Sequence, residues 1–203
     1  LENFMVYELD SGNIYPYEFS PTWDSSASIE TKSNKYSDYY NPQTGMRELC
    51  FGKGKLGPKT FMLTWTYKNA VVKYTDNIIG FHINFINKAM NVPIYSAELK
   101  IYVSDGKKGY KSLNNANVQM WSFGYEGRIN ISKGYSIFAE TYKALDQKNG
   151  FMSVLARLDS SLVSPRILSG ISFEKQKDMA FKNSSYVKNI FEKIHAFVVL
   201  QFF

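Results

Sequence analysis

The sequence predicts an all-β chain, an antiparallel two-sheet sandwich of jelly-roll or Greek-key type with one short helix near the C-terminus. Three observations carry the prediction. Apolar and polar residues alternate with period two over many short runs, the mark of half-buried antiparallel strands. Turn-forming pairs separate those runs: Ser11-Gly12-Asn13, Asp105-Gly106, Lys133-Gly134 and Asn149-Gly150. They supply the positive φ that tight hairpins need. Aromatic residues make up 16% of the 203 residues, with 15 Tyr and 15 Phe, a load that favours strands over helices.

Taken in order, strands are expected near 4–9 and 13–19, around the Ser11-Gly12 turn. In FMLTWTY, Phe61, Leu63, Trp65 and Tyr67 share one face, which predicts a strand over 60–68. GFHINFIN predicts the next at 78–86, with Phe81, Ile83 and Phe85 opposing His82 and Asn84. The same pattern in IYSAELKIYV and WSFGYEGRINI predicts strands over 94–103 and 117–131. Further strands are expected at 135–144, 151–158, 167–173 and 196–203. The hairpins over 94–158 suit a meander or the hairpin half of a Greek key. Tyr186, Val187, Ile190, Phe191 and Ile194 recur at helical spacing, which places a short helix within 178–195, over 185–194, with Ser184 or Ser185 as its cap.

The length suits a single sandwich domain over 1–203. Residues 20–59, punctuated by Pro21, Pro42, Gly45 and Pro58, read as a long polar loop region. Charge is unevenly spread. Residues 1–31 carry six acids and no Lys or Arg, whereas 32–203 carry 24 basic against 12 acidic groups. An acidic segment on a basic body suits folding back on its own domain or lying across a neighbouring copy. No apolar run reaches the length of a transmembrane helix, and no signal peptide is legible. Leu1 at the start, in place of Met, fits a processed or trimmed product.

The terminal run HAFVVLQFF, 195–203, also raises an outer-membrane barrel. Its Ala196, Val198, Leu200 and Phe202 face is wholly apolar where a barrel strand carries lumen-facing polar residues, so an inner sandwich strand is expected. The other face leaves Phe197, Val199 and Phe203 as candidate interface residues, to be covered by the chain's own helix or by a neighbouring subunit.

Candidate chemistry is sparse. FGKGKLG matches G-x-G-x-x-G at Gly52, Gly54 and Gly57, with Lys53, Lys55 and Lys59 as anion contacts. Pro58 and a strand follow, so the helix that would meet a phosphate is missing, and a glycine-rich connector is the plainer expectation. Two histidines, His82 and His195, at no ligand spacing, and one cysteine, Cys50, predict no metal, no cofactor and no disulfide framework. No catalytic residue is nominated. A Cys50–His pair has no local support, and no G-x-S-x-G elbow exists. Glu98, Glu126 and Glu140 keep a sandwich-fold glycoside hydrolase open as an alternative. Their neighbours Lys100 and Arg128 fit ordinary cross-strand pairs better. The sequons at Asn130 and Asn183 matter only in a secreted eukaryotic chain.

The loop KYSDYYNPQTG is of a different kind. Trp23, Tyr36, Tyr39 and Tyr40 among small polar residues form a candidate aromatic binding platform, or a local cover on the end of the sandwich. The expectation is a non-enzymatic structural or assembly protein, a virion-type capsid or tail subunit packing against other protein subunits. The alternative is a carbohydrate-binding or adhesin domain using the aromatic loop. Nucleic acid is not expected as a specific ligand, and a virion or extracellular setting is favoured.

Overall fold

The computed structural model describes residues 2–41, 46–54, 57–87, 93–146 and 150–184, and within these the chain is predominantly β-strand with two short helices. It divides into two compact units, 1–68 and 69–203. The strand expected at 196–203, the helical spacing at 186–194, and the candidate interface residues Phe197, Val199 and Phe203 lie outside the described residues.

Unit 1 contains β1 (Glu2–Asp10), β2 (Asn13–Pro16), β3 (Glu18–Phe19), α1 (Ile29–Lys32), β4 (Lys35–Asn41), β5 (Met46–Phe51) and β6 (Thr60–Thr66). One sheet has the order β2-β1-β6 and a second β3-β4-β5. The β1–β2 hairpin closes on Ser11 and Gly12, both at positive φ, as its Ser-Gly pair predicts. Val6 from the first sheet, Tyr36 from the second and Tyr17 between β2 and β3 form the core, with Leu49, Phe51 and Phe61 packed against them.

The expected loop over 20–59 is therefore corrected in its second half. KYSDYYN is strand β4, paired antiparallel with β5 and briefly parallel with β3. Its tyrosines are good strand formers once a ladder exists on both sides. The polar residues between them hid the pattern, because Ser37 is itself buried.

Unit 2 contains β7 (Val72–Lys73), β8 (Ile79–Ile86), β9 (Glu98–Tyr102), β10 (Val118–Phe123), β11 (Gly127–Ser132), β12 (Ser136–Thr141), β13 (Met152–Leu158), β14 (Ile167–Leu168) and α2 (Phe173–Asn183). A five-stranded sheet runs β10-β13-β8-β7-β14 and a three-stranded sheet runs β11-β12-β9. Of the expected meander, β11–β12 is a hairpin. The steps from β9 to β10, β10 to β11 and β12 to β13 change sheet.

Strand β13 is buried on both faces. Met152, Val154, Ala156 and Leu158 join Ile137, Ala139 and Leu99 of the smaller sheet in the main core. Leu155 on the opposite face joins Phe123, Phe173 and Ala180, so α2 covers that side. Helix α2 is a separate element that ends before the helical spacing at 186–194 begins. Ser172 caps it by accepting from Lys175 N, and Phe173, placed by its sequence in a strand over 167–173, is its first residue. Phe173 is buried against Tyr74 and Trp121, and that burial, with the cap, favours helix over strand there.

Candidate functional site

The outward face of the small sheet in unit 2 follows from its register. Ser136 pairs with Tyr102, Phe138 with Lys100 and Asn130, and Glu140 with Glu98 and Arg128. Cross-strand partners share a face, and the alternate residues Ile137 and Ala139 belong to the core. The middle of the outward face is electrostatically balanced. Arg128 and Lys100 lie 5.7 and 5.9 Å from the Phe138 ring centre. Arg128 also pairs with Glu140 at 2.7 Å, and Lys100 with Glu98 at 3.7 Å.

The end of this face carries three tyrosines. Tyr102 closes β9, Tyr110 returns beside it through an isolated bridge to Ser104, and Tyr135 precedes β12. Their ring centres are 4.5 Å apart for Tyr102–Tyr110, 6.1 Å for Tyr102–Tyr135 and 6.2 Å for Tyr110–Tyr135. The ring planes lie within 28° of parallel. Near-parallel rings 4.5 Å apart overlap face to face, so Tyr102 and Tyr110 form an offset stack with Tyr135 beside both, and together the three make a stepped plate. All three remain exposed, by 40%, 56% and 36% for Tyr102, Tyr110 and Tyr135.

Local turns hold the plate in place. Lys133 and Gly134 both have positive φ and Tyr135 N donates to Ser132 O, the two-residue hairpin that Lys-Gly predicts. Leu113 N donates to Gly134 O at 2.7 Å, which ties the 104–113 loop to that hairpin. Within the loop, Asp105 Oδ1 accepts from Lys107 N at 2.7 Å and Gly109 N at 2.9 Å. These backbone donors hold its carboxyl below the ordinary Asp range. A Cβ on Gly109 would lie 2.4 Å from Asp105 Oδ2, so any larger residue there would displace the carboxylate.

A second polar group occurs under α2. Ser153 Oγ lies 2.9 Å from His82 Nε2 and donates to Ile83 O at 3.2 Å, while Gln176 Nε2 lies 2.7 Å from His82 Nδ1. The single hydroxyl proton of Ser153 is committed to a carbonyl. His82 Nε2–H therefore donates to Ser153 Oγ, and Nδ1 accepts from the Gln176 amide. Burial pushes the His82 pKa down, which keeps the ring neutral. Ser153 is 0% exposed. The Ser153 hydroxyl is directed to Ile83 O and is fully buried, and the Ser153–His82–Gln176 contacts link sheet to helix.

The residues singled out in the sequence are dispersed. Tyr36 is a core residue whose hydroxyl donates to Phe4 O at 2.9 Å, which removes it from any surface platform. Trp23 is half-buried between β3 and α1, and Tyr39 and Tyr40 stand in β4 opposite Glu48 and Arg47. Lys59 is corrected as an anion contact. It pairs with Glu8, which also accepts from Tyr17, and that buried hydroxyl is pushed far above its ordinary pKa. Lys53 is exposed, and Lys55 lies outside the described residues. The glycines of FGKGKLG serve backbone needs. A Cβ on Gly52 would sit 1.9 Å from Lys32 O, and Gly54 and Gly57 have positive φ. Cys50 is in β5 of unit 1, and both ring nitrogens of His82 are engaged within unit 2.

Among the described residues no group of three or more His, Cys, Asp or Glu is placed to hold a metal ion. No helix among them is long and apolar enough to cross a membrane. No protein-family model matches the chain, and neither a curated protein nor a solved structure matches it.

Proposed function

We propose that this chain is a non-enzymatic binding protein that engages carbohydrate through Tyr102, Tyr110 and Tyr135. The observation that carries the reading is the plate itself: three near-parallel, exposed rings fixed on the end of a sheet whose other face is core. Tyrosine offers large, rigid, amphipathic contact area at low entropic cost. The apolar C–H face of a pyranose ring lies against such a plate, and the phenolic hydroxyls are left for hydrogen bonds at its rim. We read the two units as β-sandwich modules, with the sheet changes of unit 2 in the Greek-key or jelly-roll manner.

The test is titration of the full chain with a panel of hexasaccharides, followed by Tyr110→Ala. Tyr110 is the most exposed ring of the three and leaves no cavity in the core. Loss of one stacking surface predicts about tenfold weaker binding. A panel that binds nowhere, or binding that Tyr110→Ala leaves unchanged, overturns the reading.

A second reading, a self-packing structural subunit of the virion type, is favoured by a different surface. Register places Met5, Tyr7, Leu9, Ile14, Pro16 and Met62 on one face of β2-β1-β6, opposite Val6, and none of them enters the core of unit 1. Met5 and Ile14 are exposed. An apolar sheet face of this kind suits another protein surface. Concentration-dependent sedimentation, lost on Ile14→Lys, would favour this reading over the first.

A further inference from the structure

We infer that the saccharide taken by the tyrosine plate is acidic, with its charge carried as a uronic-acid carboxylate on the stacked ring. The inference rests on the carbohydrate reading above and narrows its ligand. It comes from the distribution of charge around the plate. Along the outward sheet face the cations are matched: Lys100 with Glu98, Arg128 with Glu140, and Lys143 with Glu126 at 2.7 Å. At the tyrosine end they are not. Lys107 and Lys108 directly precede Gly109-Tyr110, and Lys133 stands two residues before Tyr135. All three are exposed, and none forms an ion pair among the described residues. The acid closest to them in sequence, Asp105, is already committed to the amides of Lys107 and Gly109. A local surplus of positive charge therefore borders the plate, in a unit whose sequence holds 17 basic against 10 acidic residues.

The spacing of the rings limits how a ligand meets them. A planar nucleobase held between two rings needs about 7 Å, two van der Waals contacts of roughly 3.5 Å each. The ring centres are only 4.5 to 6.2 Å apart, so no pair of rings admits an inserted base and a ligand meets the cluster from outside. A sugar ring lies on it from outside. In a uronate the carboxylate is bonded directly to the ring, so stacking the ring on the tyrosines brings the charge to the segments that carry the three lysines. Lysine ammonium groups on flexible stems read that charge without requiring the fixed fork geometry of arginine.

The experiment is calorimetric titration of the full chain with hexagalacturonate and with its fully methyl-esterified counterpart, which keeps the backbone and removes the charge. We expect the acid to bind and the ester to bind at least tenfold more weakly, and the acid to weaken between 0.05 and 0.5 M NaCl. The variant K107Q/K108Q/K133Q should lose about tenfold toward the acid and nothing toward the ester. Glutamine keeps the chain length at exposed positions, and near-ultraviolet circular dichroism checks the fold. Equal affinity for acid and ester, or an unaffected triple variant, overturns the acidic ligand and leaves the carbohydrate reading standing. Binding of a sulfated hexasaccharide but not the uronate overturns the carboxylate assignment alone. Failure of every saccharide, or tight oligothymidylate binding abolished by Tyr110→Ala, overturns both.

Discussion

Ser153→Ala tests the polar relay beneath α2. The wild-type hydroxyl accepts from His82 Nε2 at 2.9 Å and donates to Ile83 O at 3.2 Å, at a site with no solvent exposure. Alanine preserves the small side-chain volume and removes the acceptor. His82 Nε2–H then loses its partner beside the fully buried position 153, a loss of about 1–3 kcal/mol. For a unit of this size, about 2 kcal/mol lowers Tm by roughly 8 °C. The double variant His82→Leu/Ser153→Ala removes both polar partners beside Phe123, whose ring centre is 6.1 Å from that of His82. Its loss should therefore fall short of the sum of the two single losses by about 1 kcal/mol or more. Urea unfolding of the four proteins gives the cycle. Additive losses, or a Ser153→Ala loss below about 0.5 kcal/mol, would refute the donor order derived above. A serine-directed fluorophosphonate supplies the chemical counterpart. Ser153 should stay unlabelled, and stoichiometric labelling would return the pair to the nucleophile–base class.

The same histidine sets a pH dependence. Burial lowers its folded pKa below the unfolded value, so stability is fully present above about pH 6.5 and is lost as pH falls toward the folded value. The slope reaches at most about 1.4 kcal/mol per pH unit, and urea midpoints between pH 7.5 and 5.5 should show it in the wild type and lose it in His82→Leu. In unit 1, Gly52→Ala should destabilise by about 3 kcal/mol, because the new Cβ meets the Lys32 carbonyl oxygen at 1.9 Å and backbone must move. Gly106→Ala meets nothing within 4 Å and bears only the left-handed backbone, so about 1 kcal/mol is expected. Equal effects in thermal unfolding would show that close approach is not what Gly52 serves.

Much of the strand content was legible because alternation is a local signal. The runs at 60–68, 78–86 and 151–158 coincide with β6, β8 and β13 to within two residues. The predicted strand over 117–131 is two strands, because Gly124 stands at positive φ against the Phe151 ring and breaks the run before Gly127. Which sheet the next strand joins was not legible. Alternation says which side of a strand is buried, not which neighbour buries it, and the loop between β9 and β10 is long enough to cross. Strand β4 was hidden because one of its buried positions is Ser37, and its tyrosines mimic a sticky loop when no ladder is in view.

The tyrosine plate shows why a site of this kind escapes a linear reading. Tyr102 meets Tyr135 only because β9 pairs with β12 at the register Tyr102↔Ser136, which sets the neighbour of Ser136 beside it. Tyr110 arrives by the bridge at Ser104. In sequence each is one aromatic near an Asp-Gly or Lys-Gly turn, and those turns were the only local signal. Once the register exists, the plate inherits the rigidity of the sheet, since Ile137 and Ala139 behind it are fully buried. A rigid plate loses little freedom when a ligand is bound, which favours recognition by stacking over a surface that must first be ordered. The Ser153 relay belongs to the other sheet of unit 2, on the side covered by α2, and shares no residue with the plate. Substitutions in the relay should therefore change stability without changing the affinity of the folded plate, and the lysine substitutions should do the reverse. That separation allows loss of ligand to be read as loss of the site.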